Sequence, residues 1–348
     1  MSKATGRALP TRKRGGEYRF AGWPLPLTRA RCKRAPGFYP SVLQTFIKGN
    51  RNMIARRTFL TASAAFLATA AQAQTPAQLP AVASFSILAD LVANVGGDRL
   101  QLASLVGPDG DAHVFSPSPA DARLVAGAKI LFVNGLGLEG WMERLLAASA
   151  SGAPVVVATA GIRPLAFEED GKRIDDPHAW QDIGNAKIYV ANIRKGLAAA
   201  DPGSSPAYEA QAAAYLAKLD ALEAEVRAAI ARIPAKSRRI ITSHDAFGYF
   251  GTAYGMSFIA PQGVSTESEP SARDVAKIIR QIRAEKIPAV FLENISDSRL
   301  IARIAHETGA KIGAKLFSDA LSKPDGPAAS YIDMMRNNIA AFTAALVG

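Results

Sequence analysis

Residues 206–233 read PAYEAQAAAYLAKLDALEAEVRAAIARI, and this stretch has the residue pattern of one long helix. Its large apolar residues recur three or four positions apart and share one stripe, while Glu, Lys and Arg occupy the other faces. A helix of this length spans roughly 40 Å at about 1.5 Å per residue, more than a small domain needs. We interpret it as a linker between two lobes, residues 79–205 and 234–348; the alternative is an ordinary crossover helix of one domain. The stripe consists of Tyr215, Leu219, Leu222, Val226 and Ile230.

Short apolar runs on both sides of this helix have the pattern of buried strands separated by helices. Continuous apolar strands that alternate with helices are typical of parallel sheets, because the crossover helices cover both faces. The predicted fold class is therefore α/β, with two lobes of parallel sheets flanked by helices and joined by one long helix. The predicted strands lie in residues 81–88, 129–135, 154–161, 238–244, 256–261, 288–294 and 314–319.

The basic charge of the chain lies at its N-terminus. The whole chain has a formal charge of +11, with 41 Lys and Arg against 30 Asp and Glu. Residues 1–57 hold 14 of these bases and one acid, and residues 58–73 are uncharged, so residues 74–348 carry 41 − 14 = 27 bases and 30 − 1 = 29 acids. Because that region has a net charge of −2, the sequence does not indicate nucleic acid as a partner.

Residues 53–73 have the pattern of a signal peptide. The pair Arg56-Arg57 precedes an uncharged apolar stretch and the small-residue sequence Ala71-Gln72-Ala73. The apolar stretch has about 13 residues, whereas a bilayer-spanning helix needs about 20. We expect cleavage after Ala73, export by the Sec or the twin-arginine route, and a periplasmic protein. Residues 1–52 are then a non-native or disordered extension from a start codon assigned too early, or else a long n-region.

The cysteine content excludes several kinds of site from the mature chain. The only cysteine is Cys32, upstream of the expected cleavage site. A mature chain without cysteine has no disulfide, no thiolate ligand, no cysteine nucleophile and no cysteine to carry a lipid anchor. We therefore expect a monomeric periplasmic protein without a membrane anchor.

Three of the four histidines fall where open α/β sheets bind ligands. His113 lies in a loop after a strand pattern, and His178 lies in DDPHAW before a helix pattern. His244 ends the run RRIITSH. These positions follow the carboxyl ends of strands, where such sheets place ligands. His306 lies near the end of a helix pattern that Gly309 terminates, and we assign it a surface role.

Ser243, His244 and Asp245 are the residue types of a hydrolase triad, but they do not indicate one. Consecutive residues that leave a strand point to opposite faces, so Ser243 and His244 cannot form the hydrogen bond between a nucleophile and its base. The mature chain also has no G-x-S-x-G sequence to hold a strained serine.

Asp319, at the end of the last predicted strand, is a fourth candidate ligand. Capping of the following helix is the alternative role for this aspartate. His113, His178, His244 and Asp319 are separated by 65, 66 and 75 residues, so each predicted lobe contributes two of them. Three imidazoles and one carboxylate make a closed four-ligand set for a borderline divalent cation.

Five segments of the chain resemble the metal-specific substrate-binding proteins of bacterial zinc and manganese ABC transporters. They are GPDGDAHVFSPSPAD, DDPHAWQDIGNAKIYVANI, TSHDAFGYFGTAYGM, GVSTESEPSARDVAKII and LFSDALSKPDGPAASYIDMM, and the similarity covers nearly all of residues 80–348. The resemblance implies two α/β lobes joined by one rigid long helix, with the metal site in the cleft between the lobes. It implies as metal ligands His113, His178, His244 and Asp319.

The resemblance implies transport rather than catalysis. Four protein ligands leave no open position for an activated water, so the protein would bind metal in the periplasm and present it to a permease powered by a cytoplasmic ATPase. The alternative is a periplasmic metallohydrolase with the same residues, which would need a displaceable ligand and a general base.

Two features bear on the identity of the metal. Many zinc-binding relatives carry a His-rich acidic loop between the first two ligand histidines, whereas residues 163–176, RPLAFEEDGKRIDD, hold no histidine. Manganese-binding relatives replace the third histidine by glutamate, whereas this chain keeps His244. Nitrogen-rich ligation favours Zn²⁺, and Mn²⁺ or Fe²⁺ is the alternative.

Acidic residues near the histidines are candidates to support them. A ligating imidazole usually donates its other N–H to a carboxylate or carbonyl, and Asp176, Asp245 and Glu293 are close enough in sequence or strand position. Capping or surface positions are the alternatives for these acids. Trp180 and Phe247 are candidates for an apolar wall around the metal, with ordinary core packing as the alternative.

Overall fold

The computed structural model describes residues 77–169 and 172–347. The predicted N-terminal extension at 1–52 and the predicted signal peptide at 53–73 lie outside the described residues. Within the described ranges, no helix is both long enough and apolar enough to cross a membrane.

The first sheet has four parallel strands in the order β2-β1-β3-β4. Because the neighbours of β1 lie on its opposite sides, a crevice opens at the carboxyl ends of these strands, where such sheets bind ligands. The strands are β1 (Leu79–Phe85), β2 (Leu100–Val106), β3 (Ile130–Val133) and β4 (Val155–Val157). The helices are α1 (Ser86–Gly96), α2 (Pro119–Gly127), α3 (Met142–Ser149) and α4 (Ile183–Ala200).

A small hairpin lies between β4 and α4. Its strands, β5 (Ala166–Glu169) and β6 (Lys172–Asp175), pair antiparallel, with Phe167 opposite Ile174. The sequence indicates a loop at this place, so the hairpin is a feature that the structure adds.

The long helix is α5 (Ser205–Ala231), which agrees with the predicted bounds to within two residues at each end. Every residue of the predicted apolar stripe is buried, and Tyr208 and Ala212 extend the stripe toward the N-terminus of the helix. The helical spacing of the apolar residues was therefore a reliable guide to this element.

The second sheet also has four parallel strands, in the order β10-β9-β7-β8. Here β7 has neighbours on both sides and marks a second crevice at the carboxyl ends of its strands. The strands are β7 (Arg239–Ile241), β8 (Ser257–Ile259), β9 (Ala289–Val290) and β10 (Lys311–Ile312). The helices are α6 (Gly248–Tyr254), α7 (Ala272–Glu285), α8 (Ser298–Thr308) and α9 (Tyr331–Leu346).

The predicted strand at 314–319 was wrong. The strand in this region is β10, and residues 314–319 contribute only a single bridge, between Glu293 and Leu316. The reason is that a side chain replaces the strand partner: Asn338 accepts from the backbone N–H of Phe317 at 2.9 Å and donates to its carbonyl at 2.8 Å. The backbone groups are satisfied without a sheet ladder.

One hydrophobic core joins the two halves of the fold. It includes Phe132 of β3, Leu222 of α5 and Ile240 of β7, each at most 1% exposed. Helix α5 contacts α1 and α4 of the first half as well as α6 and α9 of the second, and a smaller core lies between the second sheet and helices α7 and α8. The α/β fold with two parallel sheets, flanking helices and one long helix is confirmed. The lobe bounds 79–205, 206–233 and 234–348 remain a prediction.

Asp90 of α1 connects the first half to the C-terminal helix. One oxygen of its carboxylate accepts from the backbone N–H of Tyr331, the first residue of α9, at 2.9 Å. Burial raises the pKa of Asp90 to about 6, and the nearby Asp333 adds to this effect. A group whose pKa is higher in the folded than in the unfolded chain holds its proton longer when folded.

We predict that Asp90→Asn changes the pH dependence of stability. Since the wild-type pKa of Asp90 is about 6 when folded and about 3.9 when unfolded, its contribution to the free energy of unfolding falls as pH rises from about 4 to about 6. The difference between wild type and variant should change over that window by up to about 3 kcal/mol. Urea unfolding of both proteins at several pH values measures it.

The exposed Asp98→Asn serves as the control, because it removes one carboxylate without touching α9. If the free energy of unfolding depends on pH in the same way in wild type and Asp90→Asn, the raised pKa does not belong to Asp90.

Candidate metal centre

The structure brings together all four candidate ligands. His113 follows β2, His178 precedes α4, His244 follows β7, and Asp319 precedes α9. One ligand atom from each of the four residues lies within 4.8 Å of the others. His113 is 7% exposed, and the other three are completely buried.

The donor atoms of the four groups form a compact cluster. The Nε2 of His178 lies 3.3 Å from the Nε2 of His113 and 3.4 Å from the Nε2 of His244. The Oδ2 of Asp319 lies 3.1 Å from His244 Nε2 and 3.3 Å from His113 Nε2. These four distances match edges of a tetrahedron whose centre lies about 2.0 Å from each corner, the distance at which Zn²⁺ binds nitrogen and oxygen. Ca²⁺, at about 2.3–2.6 Å from oxygen, needs a wider set.

The buried charges of this cluster favour a cation at its centre. Burial lowers the pKa of His178, but the charges of Asp319 and Asp176 outweigh burial and raise it to about 9. Burial raises the pKa of Asp319, but His244 and His178 hold it well below its usual value. Facing imidazole nitrogens present lone pairs to each other unless a proton or a metal ion lies between them. Protons and a metal ion therefore compete for the same place.

Two of the histidines are held by the same local turn. Asp111 Oδ1 accepts from the backbone N–H of His113, and Asp176 Oδ1 accepts from that of His178, both at 2.9 Å. Asp176 Oδ1 also lies 2.8 Å from His178 Nδ1, which orients the ring so that Nε2 is left for a metal. Sequence reasoning named Asp176 but missed Asp111, although the Asp-x-His spacing occurs at both places.

Glu293, which follows β9, supports His244. Its Oε2 lies 2.6 Å from His244 Nδ1. Its Oε1 accepts from the backbone N–H groups of Ser243 and His244, at 2.6 and 3.0 Å. Burial lowers the pKa of His244, but Glu293 and Asp319 raise it well above its usual value. The carboxylate thus places negative charge beside the ring, which makes Nε2 a stronger donor.

The backbone beside Asp319 is bonded to the segment around His178. Trp180 Nε1 and Gln181 Nε2 both donate to the carbonyl of Ser318, at 2.9 and 2.8 Å. The Trp180 ring packs edge-on against His178, with ring centroids 5.3 Å apart. These contacts join segments 138 positions apart in the chain and fix the distance between one imidazole and the carboxylate.

The loop before His178 rests on a buried polar network at the end of β3. Asn134 Nδ2 donates to the carbonyl of Pro177 at 2.9 Å, and the Tyr189 hydroxyl donates to Asn134 Oδ1. Glu139 accepts from the backbone N–H of Asn134 at 2.6 Å, and burial raises the pKa of Glu139. Because all these groups are buried and bonded, the loop has little freedom to move.

Other sequence-based assignments had mixed outcomes. Within the described residues, the Asp245 carboxylate bonds to no histidine ring; burial and the charge of Asp176 raise its pKa to about 6. Phe247 stacks on Phe258 in the core and not on the histidines. His306 is exposed in the last turn of α8, as predicted. Helix α9 is capped by Ser330, so Asp319 is not a helix cap.

Comparison with known proteins agrees with this geometry. Residues 81–345 match the family model ZnuA, zinc-uptake complex component A periplasmic. The iron-binding protein YfeA of Yersinia pestis is 34% identical over 278 residues, which cover 80% of this chain and 89% of YfeA. The manganese-binding lipoprotein MntA of Halalkalibacterium halodurans is 34% identical over 269 residues, which cover 77% of this chain and 88% of MntA.

Solved structures with the same fold include two metal-binding proteins. The periplasmic zinc binding protein TroA from Treponema pallidum has a TM-score of 0.74 and 31% identity, over 78% of this chain and 100% of TroA. The manganese-bound periplasmic metal binding protein from Candidatus Liberibacter asiaticus has a TM-score of 0.71 and 30% identity, over 77% of this chain and 100% of that protein.

We predict that His178→Ala weakens zinc binding at least about tenfold, because it removes one of four donors and the ring that lies beside the Asp176 carboxylate. Zinc should then raise the melting temperature less than it does for the wild type, since this increase depends on affinity. Titration calorimetry and melting curves with and without zinc test this. His306→Ala is the matched control, and wild-type affinity in His178→Ala would refute the ligand assignment.

We predict that Glu293→Gln weakens zinc binding by about 10- to 100-fold, although Glu293 is not a ligand. Glutamine keeps an oxygen for the backbone N–H groups of Ser243 and His244 but loses the charge beside His244 Nδ1. The measurement is zinc competition against a chelator. The exposed Glu285→Gln should bind zinc as the wild type does, and equal affinities for the two variants would disprove a role for Glu293.

Proposed function

The chain belongs to the ZnuA family of periplasmic metal-binding components of ABC transporters, and from that premise we propose that it carries Zn²⁺ to a permease for import. The family places it among divalent-metal-binding proteins and not among enzymes. The metallohydrolase alternative therefore has no support. The proposal concerns the identity of the ion, its ligands and the partner proteins.

One observation carries the proposal: three imidazole nitrogens and one carboxylate lie within 4.8 Å of one another, with neighbouring donor atoms 3.1–3.5 Å apart. We propose His113, His178, His244 and Asp319 as the metal ligands. The set is closed, because four protein donors complete a tetrahedral zinc shell. A closed shell suits retention and delivery of the ion, since it has no place for a reacting water.

Zinc is the first choice because the donor set is rich in nitrogen and the site is tight. At equal geometry the affinity of nitrogen sites is higher for Zn²⁺ than for Mn²⁺ or Fe²⁺. The alternative cargo is Mn²⁺ or Fe²⁺. Two relatives at 34% identity, an iron-binding and a manganese-binding protein, support this alternative. Supply of each metal in the compartment then decides which ion is carried.

The proposed partners are an ABC permease and its cytoplasmic ATPase, as expected for a substrate-binding component of such a transporter. We propose that the protein works as a monomer in the periplasm, after export by the signal peptide at 53–73. Metal analysis of the protein purified from the periplasm of its own host, at controlled zinc, manganese and iron supply, tests the cargo. Zinc at one equivalent under balanced supply is the expected result, and manganese or iron in its place would overturn the choice.

We predict that His244→Glu lowers the preference for zinc over manganese by at least about tenfold, because an oxygen donor replaces an imidazole and oxygen donors suit Mn²⁺. The measurement is competition between the two ions in metal-buffered solution. His306→Glu adds the same charge at an exposed position and should leave the preference as it is. An unchanged preference in His244→Glu would contradict the argument from the donor set.

A further inference from the structure

A second polar pocket lies beside the metal centre. It has a volume of about 190 Å³ and contains none of the four candidate ligands. Two of its residues adjoin the centre, however: Ser243 precedes His244 in the chain, and Asp111 holds the backbone of His113. The lining residues used below are Asp111, Ser243, Gln262, Thr266, Glu269, Ser296 and Asp297.

Two buried hydroxyl groups of this pocket lack a protein partner. Ser243 is only 4% exposed, and its Oγ has no hydrogen-bond partner in the described part of the chain. The Oγ of Ser296 is buried and has no partner there either. Because a buried hydroxyl without a partner costs free energy, these groups indicate a polar occupant.

The remaining polar groups of the pocket also offer oxygen atoms. Gln262 Nε2 donates to the carbonyls of Thr266 and Ser268, at 3.1 and 2.9 Å, which leaves Oε1 as the acceptor of this amide. The Asp111 Oδ2 accepts from the Thr266 hydroxyl at 2.6 Å and retains further acceptor capacity. Oxygen donors of this kind suit hard cations such as Mg²⁺, Ca²⁺ and Mn²⁺.

The charge of the pocket is negative. Asp111, Glu269 and Asp297 line it, and none of the lining residues in the described ranges is Lys or Arg. Arg299 binds the Asp297 carboxylate from outside and also lies near Glu269, which leaves two negative charges in excess. Such a pocket attracts a divalent cation from solution.

We propose that this pocket binds a divalent cation together with part of its water shell. The volume of about 190 Å³ leaves room for several water molecules beside an ion, so the ion keeps part of its hydration. The hydroxyls of Ser243 and Ser296 and the amide oxygen of Gln262 bind the waters, while the carboxylates supply the charge. The occupant is either the transported ion on its way to the histidines or bulk Mg²⁺ or Ca²⁺.

The test uses Mn²⁺ as the probe on protein that already holds one equivalent of Zn²⁺. Mn²⁺ does not displace Zn²⁺ from a nitrogen-rich site. Mn²⁺ that keeps water on a slowly tumbling protein enhances water-proton relaxation, so a relaxation titration reports hydrated binding. One additional equivalent is expected, with affinity reduced about fivefold by Ser243→Ala and by Glu269→Gln, each of which removes one interaction of about 1 kcal/mol.

Glu267→Gln is the matched control, because Glu267 is an exposed acid of the same loop and does not line this pocket. It should bind the additional Mn²⁺ within about twofold of the wild type. Ser243→Ala is expected to fold normally, since the hydroxyl it removes has no protein partner. If no additional equivalent of Mn²⁺ binds, the pocket holds ordered water. If all three variants bind Mn²⁺ with equal affinity, the binding is general to the surface. Either result overturns the proposal.

Two further arms identify the source of the cation. Displacement of Mn²⁺ by millimolar Mg²⁺ or Ca²⁺ assigns the pocket to a bulk cation. Resistance to these ions, together with slower zinc uptake by Ser243→Ala in stopped flow, assigns it to the transported ion. The same Mn²⁺ titration of His178→Ala separates this proposal from the proposed function, because the pocket binds Mn²⁺ even where the histidine site fails.

Discussion

The constraint on which the fold depends is that three imidazoles and a carboxylate lie within 4.8 Å of one another, almost entirely out of water. Water cannot screen the carboxylate there, and the facing nitrogen lone pairs repel one another without a cation between them. Asp176 and Glu293 place negative charge beside the rings of His178 and His244, which makes a cation at the centre more favourable. In the absence of metal, bound protons supply the positive charge, in agreement with the raised pKa of His178. Metal affinity therefore depends on pH, and proton release accompanies metal binding.

Contacts between the two halves keep these four groups at the required distances. The carbonyl of Ser318 receives bonds from Trp180 and Gln181, so the carboxylate of the second half is fixed against an imidazole of the first. On the other side of the centre, Thr266 donates to Asp111, which holds the backbone of His113. A change of one of these bonds therefore moves a member of the cluster, since the bonds hold backbone groups beside His113 and Asp319. This arrangement couples the distance between the halves to the geometry around the ion.

The sequence located the three histidines of the cluster from their positions relative to the predicted strands. His244 ends a strand pattern, and His113 and His178 lie in loops that follow strand patterns, where open α/β sheets place ligands. The long helix was predictable for a similar reason, since the stripe that includes Leu222 repeats at one period over the whole segment. The contact between Glu293 and His244 was only a candidate, because it joins residues 49 positions apart on neighbouring strands. The local pattern wrongly predicted a strand at Phe317. There the side-chain amide of Asn338, 21 positions away, bonds the backbone groups that a neighbouring strand would otherwise bond.

Relatives with this fold carry names for Zn²⁺, Mn²⁺ and Fe²⁺, so the fold alone does not select the ion. The second carboxylate oxygen offers a physical reason. Asp319 Oδ1 lies 3.5 Å from His178 Nε2 and has no hydrogen bond within the described chain, so a small rotation turns a single donor into a pair. One oxygen completes the four-coordinate shell of Zn²⁺, whereas ions that prefer more oxygen donors gain from both. The bonds that Trp180 and Gln181 make to the carbonyl of Ser318 fix the backbone on which this side chain rotates.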